Sequence, residues 1–136
     1  MYCIILYYLY ICIVLKKIIN KTPNKMKIEN TKAQMRKGVL EYCILSILQS
    51  KDAYTSEILS TLKEAEMIVV EGTIYPLLTR LKNASLLTYR WEESVSGPPR
   101  KYYELTETGR DFLTELDHTW TTLENAVTKI TRAKKN

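Results

Sequence analysis

A proline inside a helical pattern constrains this chain more than any other single residue. In Glu71 to Leu87, EGTIYPLLTRLKNASLL, the apolar residues Ile74, Leu77, Leu78 and Leu81 recur at i, i+3, i+4 and i+7, the spacing of one helix face. Pro76 falls among them. A proline in a helix interior removes a backbone hydrogen bond and collides with the turn before it. The N–H groups of a first turn have no intrahelical acceptor, so the conflict eases if the helix starts near Glu71 to Thr73. The turn holding Thr73, Tyr75 and Pro76 then projects.

The other face carries Thr73, Tyr75, Pro76, Thr79, Arg80, Lys82 and Asn83. It offers hydroxyls, an aromatic ring, an amide and two cations, and no acid. A surface helix built only for solubility mixes Glu and Lys in i,i+4 pairs. This face instead has donors suited to phosphates and base edges. A plain solvated face is the competing reading, and the neighbouring segments decide between them.

Net charge does not decide it. The formal charge is +5 over 136 residues, but Lys16, Lys17, Lys21 and Lys25 supply four of those charges within residues 1–25, which contain no acid. The rest of the chain is close to neutral, so any basic patch must be local. That first segment, MYCIILYYLYICIVLKKIINKTPNK, differs in composition from all that follows. Its uncharged run ends at Leu15, short of the roughly 20 residues that span a bilayer. It lacks the basic start and small-residue cleavage site of a secretory signal. A membrane anchor, an ordered element on the domain and a translated stretch upstream of the true start all remain open. Composition favours the last, because Met26 opens an ordinary soluble N-terminus. The expected division is therefore 1–25, extraneous or disordered, ahead of a folded domain at 26–106 and a C-terminal helix with its tail at 107–136.

Cys3, Cys12 and Cys43 make an odd count, and His118 is the single histidine, so no spacing fits zinc. A reduced, cytoplasmic protein without metal or other cofactor follows, with Cys43 a small core residue. One histidine, no glycine-rich phosphate loop and no clustered carboxylates leave no constellation for an enzyme.

In chain order, a helix is expected from about Thr31 to Ser50, with Val39, Leu40, Cys43, Ile44, Ile47 and Leu48 inward. Lys51 to Ala53 reads as a turn. Thr55 or Ser56 caps a second helix that ends near Ala65. Met67 to Val70 is β-branched and reads as a short strand. After the Pro76 helix, Leu87 to Glu92 and Arg100 to Leu105 form a hairpin whose Glu93 to Pro99 tip is unpaired, because Gly-Pro-Pro ends pairing. Arg90, Arg100 and Lys101 put positive charge on its arms. Thr106 caps the last helix, where Leu113, Leu116, Trp120, Leu123, Val127 and Ile130 repeat at steps of 3 and 4. Such a heptad seam calls for a partner helix, from a second copy of the chain or from its own first helix.

This order is that of a winged helix-turn-helix, mainly α with a small β-hairpin, extended by a long C-terminal dimerisation helix. In that architecture the second helix of the turn enters the major groove and the hairpin lies over the flanking backbone. Two-fold symmetry presents two such helices to a palindromic operator.

EGTIYPLLTRLKNASLL, followed by SGPPRKYYELTETG and a Trp-bearing helix, resembles the PadR family of transcriptional regulators. The resemblance runs from about Met35 to Ile130 and is to the compact branch that dimerises through a single C-terminal helix. It implies a dimeric repressor that leaves its operator on binding a small effector. It also implies DNA contacts from Thr73, Tyr75, Pro76, Thr79, Arg80 and Lys82 in the recognition helix, and from Arg100 and Lys101 in the wing. By chemistry, the four cations neutralise phosphates, while Thr73 and Tyr75 are better placed for base edges. A tryptophan placed like Trp120 stacks on flat aromatic drugs in some similar relatives. Two alternatives stay open: Tyr75 packs under the wing, and Trp120 simply fills the seam. Against a DNA-binding regulator stand a protein-binding winged-helix adaptor and a membrane-anchored regulator. The operator and the effector are not legible.

Overall fold

The computed structural model describes residues 27–133, so the expectations for 1–25 lie outside the described residues. The chain divides into two units, Met1–Gly38 and Val39–Asn136. Residues 27–50 are helical (α1), and 27–38 belong to the first unit. That stretch is mostly exposed, with Lys32 paired to Glu29 at 3.0 Å.

The second unit continues through β1 (Ala53–Tyr54), α2 (Thr55–Glu64), α3 (Glu71–Asn83), β2 (Leu87–Ser94), β3 (Gly97–Leu105) and α4 (Glu107–Thr131). This is the winged helix-turn-helix order with a long last helix. Its core is built from helical stripes. Leu40, Ile44, Leu45 and Leu48 of α1, Ile58 and Leu62 of α2, and Ile74, Leu78 and Leu81 of α3 are buried together. The wing base, Leu87, Tyr103 and Leu105, and Leu113 of α4 close that core from the other side. Cys43 packs against its edge, and burial pushes its thiol up.

The two helices of the turn end alike. Met67 N–H donates to Leu62 and Glu66 N–H to Lys63; Leu86 N–H donates to Leu81 and Ser85 N–H to Lys82. These paired bonds need a left-handed residue, and Glu66 (φ 58°) and Ser85 (φ 62°) take that role where glycine is usual. Each non-glycine residue there costs roughly 1 kcal/mol.

Four local expectations are corrected. Met67 to Val70 is not a strand: the turn after α2 leaves it no neighbour to pair with, and Ile68 and Val70 stay exposed. The third strand is instead Ala53–Tyr54, paired antiparallel to Tyr102–Tyr103 in a sheet of order β1-β3-β2. Because that pairing holds Tyr54 extended, Tyr54 is the residue before α2, and Glu57 accepts its N–H at 3.2 Å; neither Thr55 nor Ser56 caps. The hairpin also runs further than expected, to Ser94 opposite Gly97, with an irregularity between Glu92 and Ser94. Pro98 and Pro99 fit within β3 because β1 is too short to pair with that part of the strand, so fewer of its N–H positions are called on.

The fourth correction concerns Pro76. The helix does start at Glu71, yet Pro76 lies beyond its first turn, so the bond back to the Gly72 carbonyl cannot form. Gly72 is itself exposed.

Candidate nucleic-acid interface

The wing has two faces of opposite character, and strand alternation assigns them. Leu87, Tyr89 and Trp91 of β2 stand opposite Leu105, Tyr103 and Lys101 of β3. The base of this face is buried on the core. Its outer part, Trp91 and Lys101, lines a groove with Tyr75 and Thr79 of α3. The Lys101 ammonium lies 4.1 Å from the Tyr89 ring centre and 5.1 Å from that of Trp91. Lys82 of α3 also approaches Tyr89, at 6.0 Å.

The other face pairs Thr88, Arg90 and Glu92 with Glu104, Tyr102 and Arg100. Here Arg90 is spoken for. Its guanidinium binds Asp52 and Glu92 at 2.7 Å each and Glu104 as well. Asp52 most, and Glu92 after it, raise its pKa further. Arg90 is therefore a tie across the sheet rather than a free cation on the wing. Arg100 packs over the Tyr54 ring at 4.6 Å and reaches the same groove as Lys101.

That groove, about 500 Å³, runs between the start of α2, the outer side of α3 and the wing. Tyr54, Thr55, Ser56, Tyr75, Thr79, Trp91, Pro99, Arg100, Lys101 and Tyr103 line it. None of these is an acid. Hydroxyls and two cations around a concave surface fit a polyanion, with donors left over for specific contacts.

The sequence-derived residues divide on inspection. Tyr75, Pro76, Thr79, Arg80 and Lys82 are exposed on α3, whereas Thr73 is half-buried in its first turn. Thr79 donates its hydroxyl back to the Tyr75 carbonyl. Tyr75 combines the two alternatives for it: it is 51% exposed, yet it lies by the wing, where with Tyr89 and burial it helps push the Tyr103 phenol up. Burial is the largest of those causes. Arg80 is the exception to an acid-free face. Glu41 of α1 binds its guanidinium at 2.6 Å, although the Arg80 side chain remains 65% exposed. Ser56, Thr55 and Trp91 line the groove without having been expected there. A residue in the first turn of a helix or within a strand gives no sequence signal of which groove it borders.

If Arg80 is held back by Glu41, Glu41→Gln should release it. An exposed pair of this kind is worth at most about 1 kcal/mol to stability, so the fold should stand. Affinity for random duplex should rise a few-fold and the salt dependence should steepen. Unchanged affinity and slope in a filter-binding titration would mean that Arg80 does not reach the phosphates.

At the far end of the unit, Trp120 of α4 stacks on Tyr42 of α1, with ring centres 6.1 Å apart and planes at 28°. The Tyr42 hydroxyl donates to Asp117 at 2.5 Å. That bond, available only to the neutral phenol, is the main reason its pKa is raised, with burial and the Asp117 charge adding to it. Leu113 is buried and Leu116 packs on the core, but Leu123, Val127 and Ile130 are exposed. The seam is thus half intrachain core and half uncovered. Among the described residues no group of acids, histidines and cysteines could hold a metal ion, and no helix is long and apolar enough to cross a membrane.

Comparison with known proteins identifies the family that this fold belongs to. The family described as "Transcriptional regulator PadR-like family" matches residues 44–115, which contain α2, α3 and the whole wing. A PadR-like transcription factor from Bacteroides fragilis is 59% identical, with a TM-score of 0.63 over 74% of this chain and 98% of that one. A PadR family transcriptional regulator from Eggerthella lenta is 29% identical, with a TM-score of 0.73 over 83% and 97%. A PadR-like regulator from Bacillus cereus is 36% identical, with a TM-score of 0.67 over 74% and 99%. The chain belongs to the PadR-like family of transcriptional regulators.

Proposed function

We propose that the protein binds a palindromic operator as a homodimer and represses transcription until a small molecule releases it. α3 enters the major groove, the wing lies along the flanking backbone, and Trp120 to Ile130 of two α4 helices join the protomers. The single observation that carries this reading is the acid-free groove between α3, the start of α2 and the wing, with Arg100 and Lys101 on its rim. Lys82, Arg100 and Lys101 supply phosphate contacts, and Thr73 and Tyr75 read base edges. Pro76 sets the direction in which that turn projects, and Thr79 lies on the same exposed side. The uncovered aromatic pair Trp120 and Tyr42 is flat and partly exposed, which suits a flat aromatic effector.

Base reading is tested by specificity rather than by affinity. Thr73→Ala and Tyr75→Ala should lower the ratio of operator to random-duplex affinity about tenfold each, since one good base contact is worth about 1–3 kcal/mol. A competition band-shift at fixed salt measures that ratio. If it is unchanged in both variants, these residues do not read bases.

A further inference from the structure

We infer that Trp91 is a direct DNA contact, its indole laid against the sugar–phosphate backbone beside the phosphate held by Lys101. This rests on the DNA-binding reading above and names a residue and a mode of contact that it lacks. The starting point is an indole left 62% exposed on a strand whose base is in the core. An aromatic side chain of this size covers roughly 150–250 Å² of surface when buried, so leaving it in water forgoes a large stabilisation. It is not loose. Tyr89 meets it edge to face, with ring centres 6.3 Å apart and planes at 85°. Lys101, its partner across the two strands, lies over it.

Charge identifies the occupant. Trp91 borders the groove that has Arg100 and Lys101 in its lining and no acid. The opposite wing face gathers Asp52, Glu92 and Glu104 around Arg90 and would repel phosphate. A rigid apolar ring next to a held cation matches the alternation along a nucleic-acid backbone, where apolar deoxyribose faces lie between phosphates. An acidic protein surface would satisfy Lys101 and Arg100 but offers no such alternation. Arg100 and Lys101 neutralise charge. Trp91 adds contact area that releases no counterions.

That difference makes the test. The full chain is labelled with 5-fluorotryptophan, and the ¹⁹F resonance missing from Trp91→Phe is assigned to Trp91. Saturating promoter duplex should shift this resonance and remove its H₂O/D₂O isotope shift. Trp91→Ala should weaken duplex binding about tenfold with the salt slope unchanged, and Trp91→Phe by less. Lys101→Ala should instead flatten the slope, by about 0.9 for each phosphate no longer neutralised. A wild-type protein that binds duplex while the Trp91 resonance stays unmoved, or a Trp91→Ala variant that binds like wild type, overturns the inference and leaves the DNA-binding reading intact. A slope that flattens in Trp91→Ala overturns it too, because Trp91 then serves only to place Lys101. If wild-type protein binds no duplex at all, the DNA-binding reading falls and the inference falls with it.

Discussion

Gly109→Ala should unfold the protein at temperatures where the wild type is stable. Gly109 is in the first turn of α4, and a Cβ built there would lie 2.1 Å from the Leu86 carbonyl oxygen and 3.0 Å from its carbon. Both atoms are backbone, so no side-chain rotation relieves the clash. The surroundings cannot give either. Thr106 N–H donates to the same Leu86 carbonyl at 3.1 Å, and the Thr106 hydroxyl donates to Ser85 at 2.7 Å. That hydroxyl also accepts the Gly109 N–H at 2.9 Å and caps the helix. One small region therefore joins the end of α3, the start of β2 and the start of α4. Overpacking commonly costs about 1–3 kcal/mol, and more where the obstacle is fixed. A loss of about 3 kcal/mol or more corresponds to a fall in Tm of about 10 °C or more for a chain of this size. A calorimetric Tm within a few degrees of wild type would show that α4 can shift away from Leu86.

With two α4 helices joining the protomers as proposed, Leu123→Asp should convert the dimer to monomer and reduce operator affinity by a factor of about 100 or more. α4 is 25 residues long, about 37 Å at 1.5 Å per residue, and only its first part is packed on the core. Trp120, Leu123, Val127 and Ile130 continue the same stripe with 38%, 52%, 48% and 78% of their surface open. Fully covering an aliphatic side chain is worth about 1.5–3 kcal/mol, and a two-fold contact would bury two copies of each of these residues. An aspartate in the centre of such a contact must be desolvated without a partner, whereas in the monomer it is an ordinary surface charge. The variant should therefore fold normally and sediment as a monomer. One half-site in place of two then accounts for the weaker binding. A variant that is monomeric yet binds the operator like wild type would separate dimerisation from recognition.

The helices were legible because their apolar stripes are local. Ile74, Leu78 and Leu81 are buried as their spacing requires, and Thr106 caps α4 as expected. What the sequence hid depends on distant partners. Met67 to Val70 has strand-like residues but no strand beside it, while Ala53 and Tyr54 pair only because β3 passes them. Pro98 and Pro99 read as the end of pairing; in the fold they sit where β3 is not paired to β1. The site shows the same division. The face of α3 was visible from periodicity, but Arg80 meets an acid from α1 and Arg90 meets acids from three separate segments. Of the wing cations, Arg100 and Lys101 keep access to the groove. Trp91 is not legible as a site residue because strand alternation alone does not tell which wing face lies toward α3.

Recognition of DNA by this groove stands or falls on the salt dependence of promoter binding. On the proposed reading, Lys82, Arg100 and Lys101 from two protomers give about six phosphate contacts, so log K should fall linearly with log salt with a slope of about −5. Counting Arg80 as well would make it about −7. A slope near −5 for the wild-type dimer, steepening in Glu41→Gln, is the expected result. A folded dimer whose promoter binding is absent or insensitive to salt would refute DNA recognition through these cations.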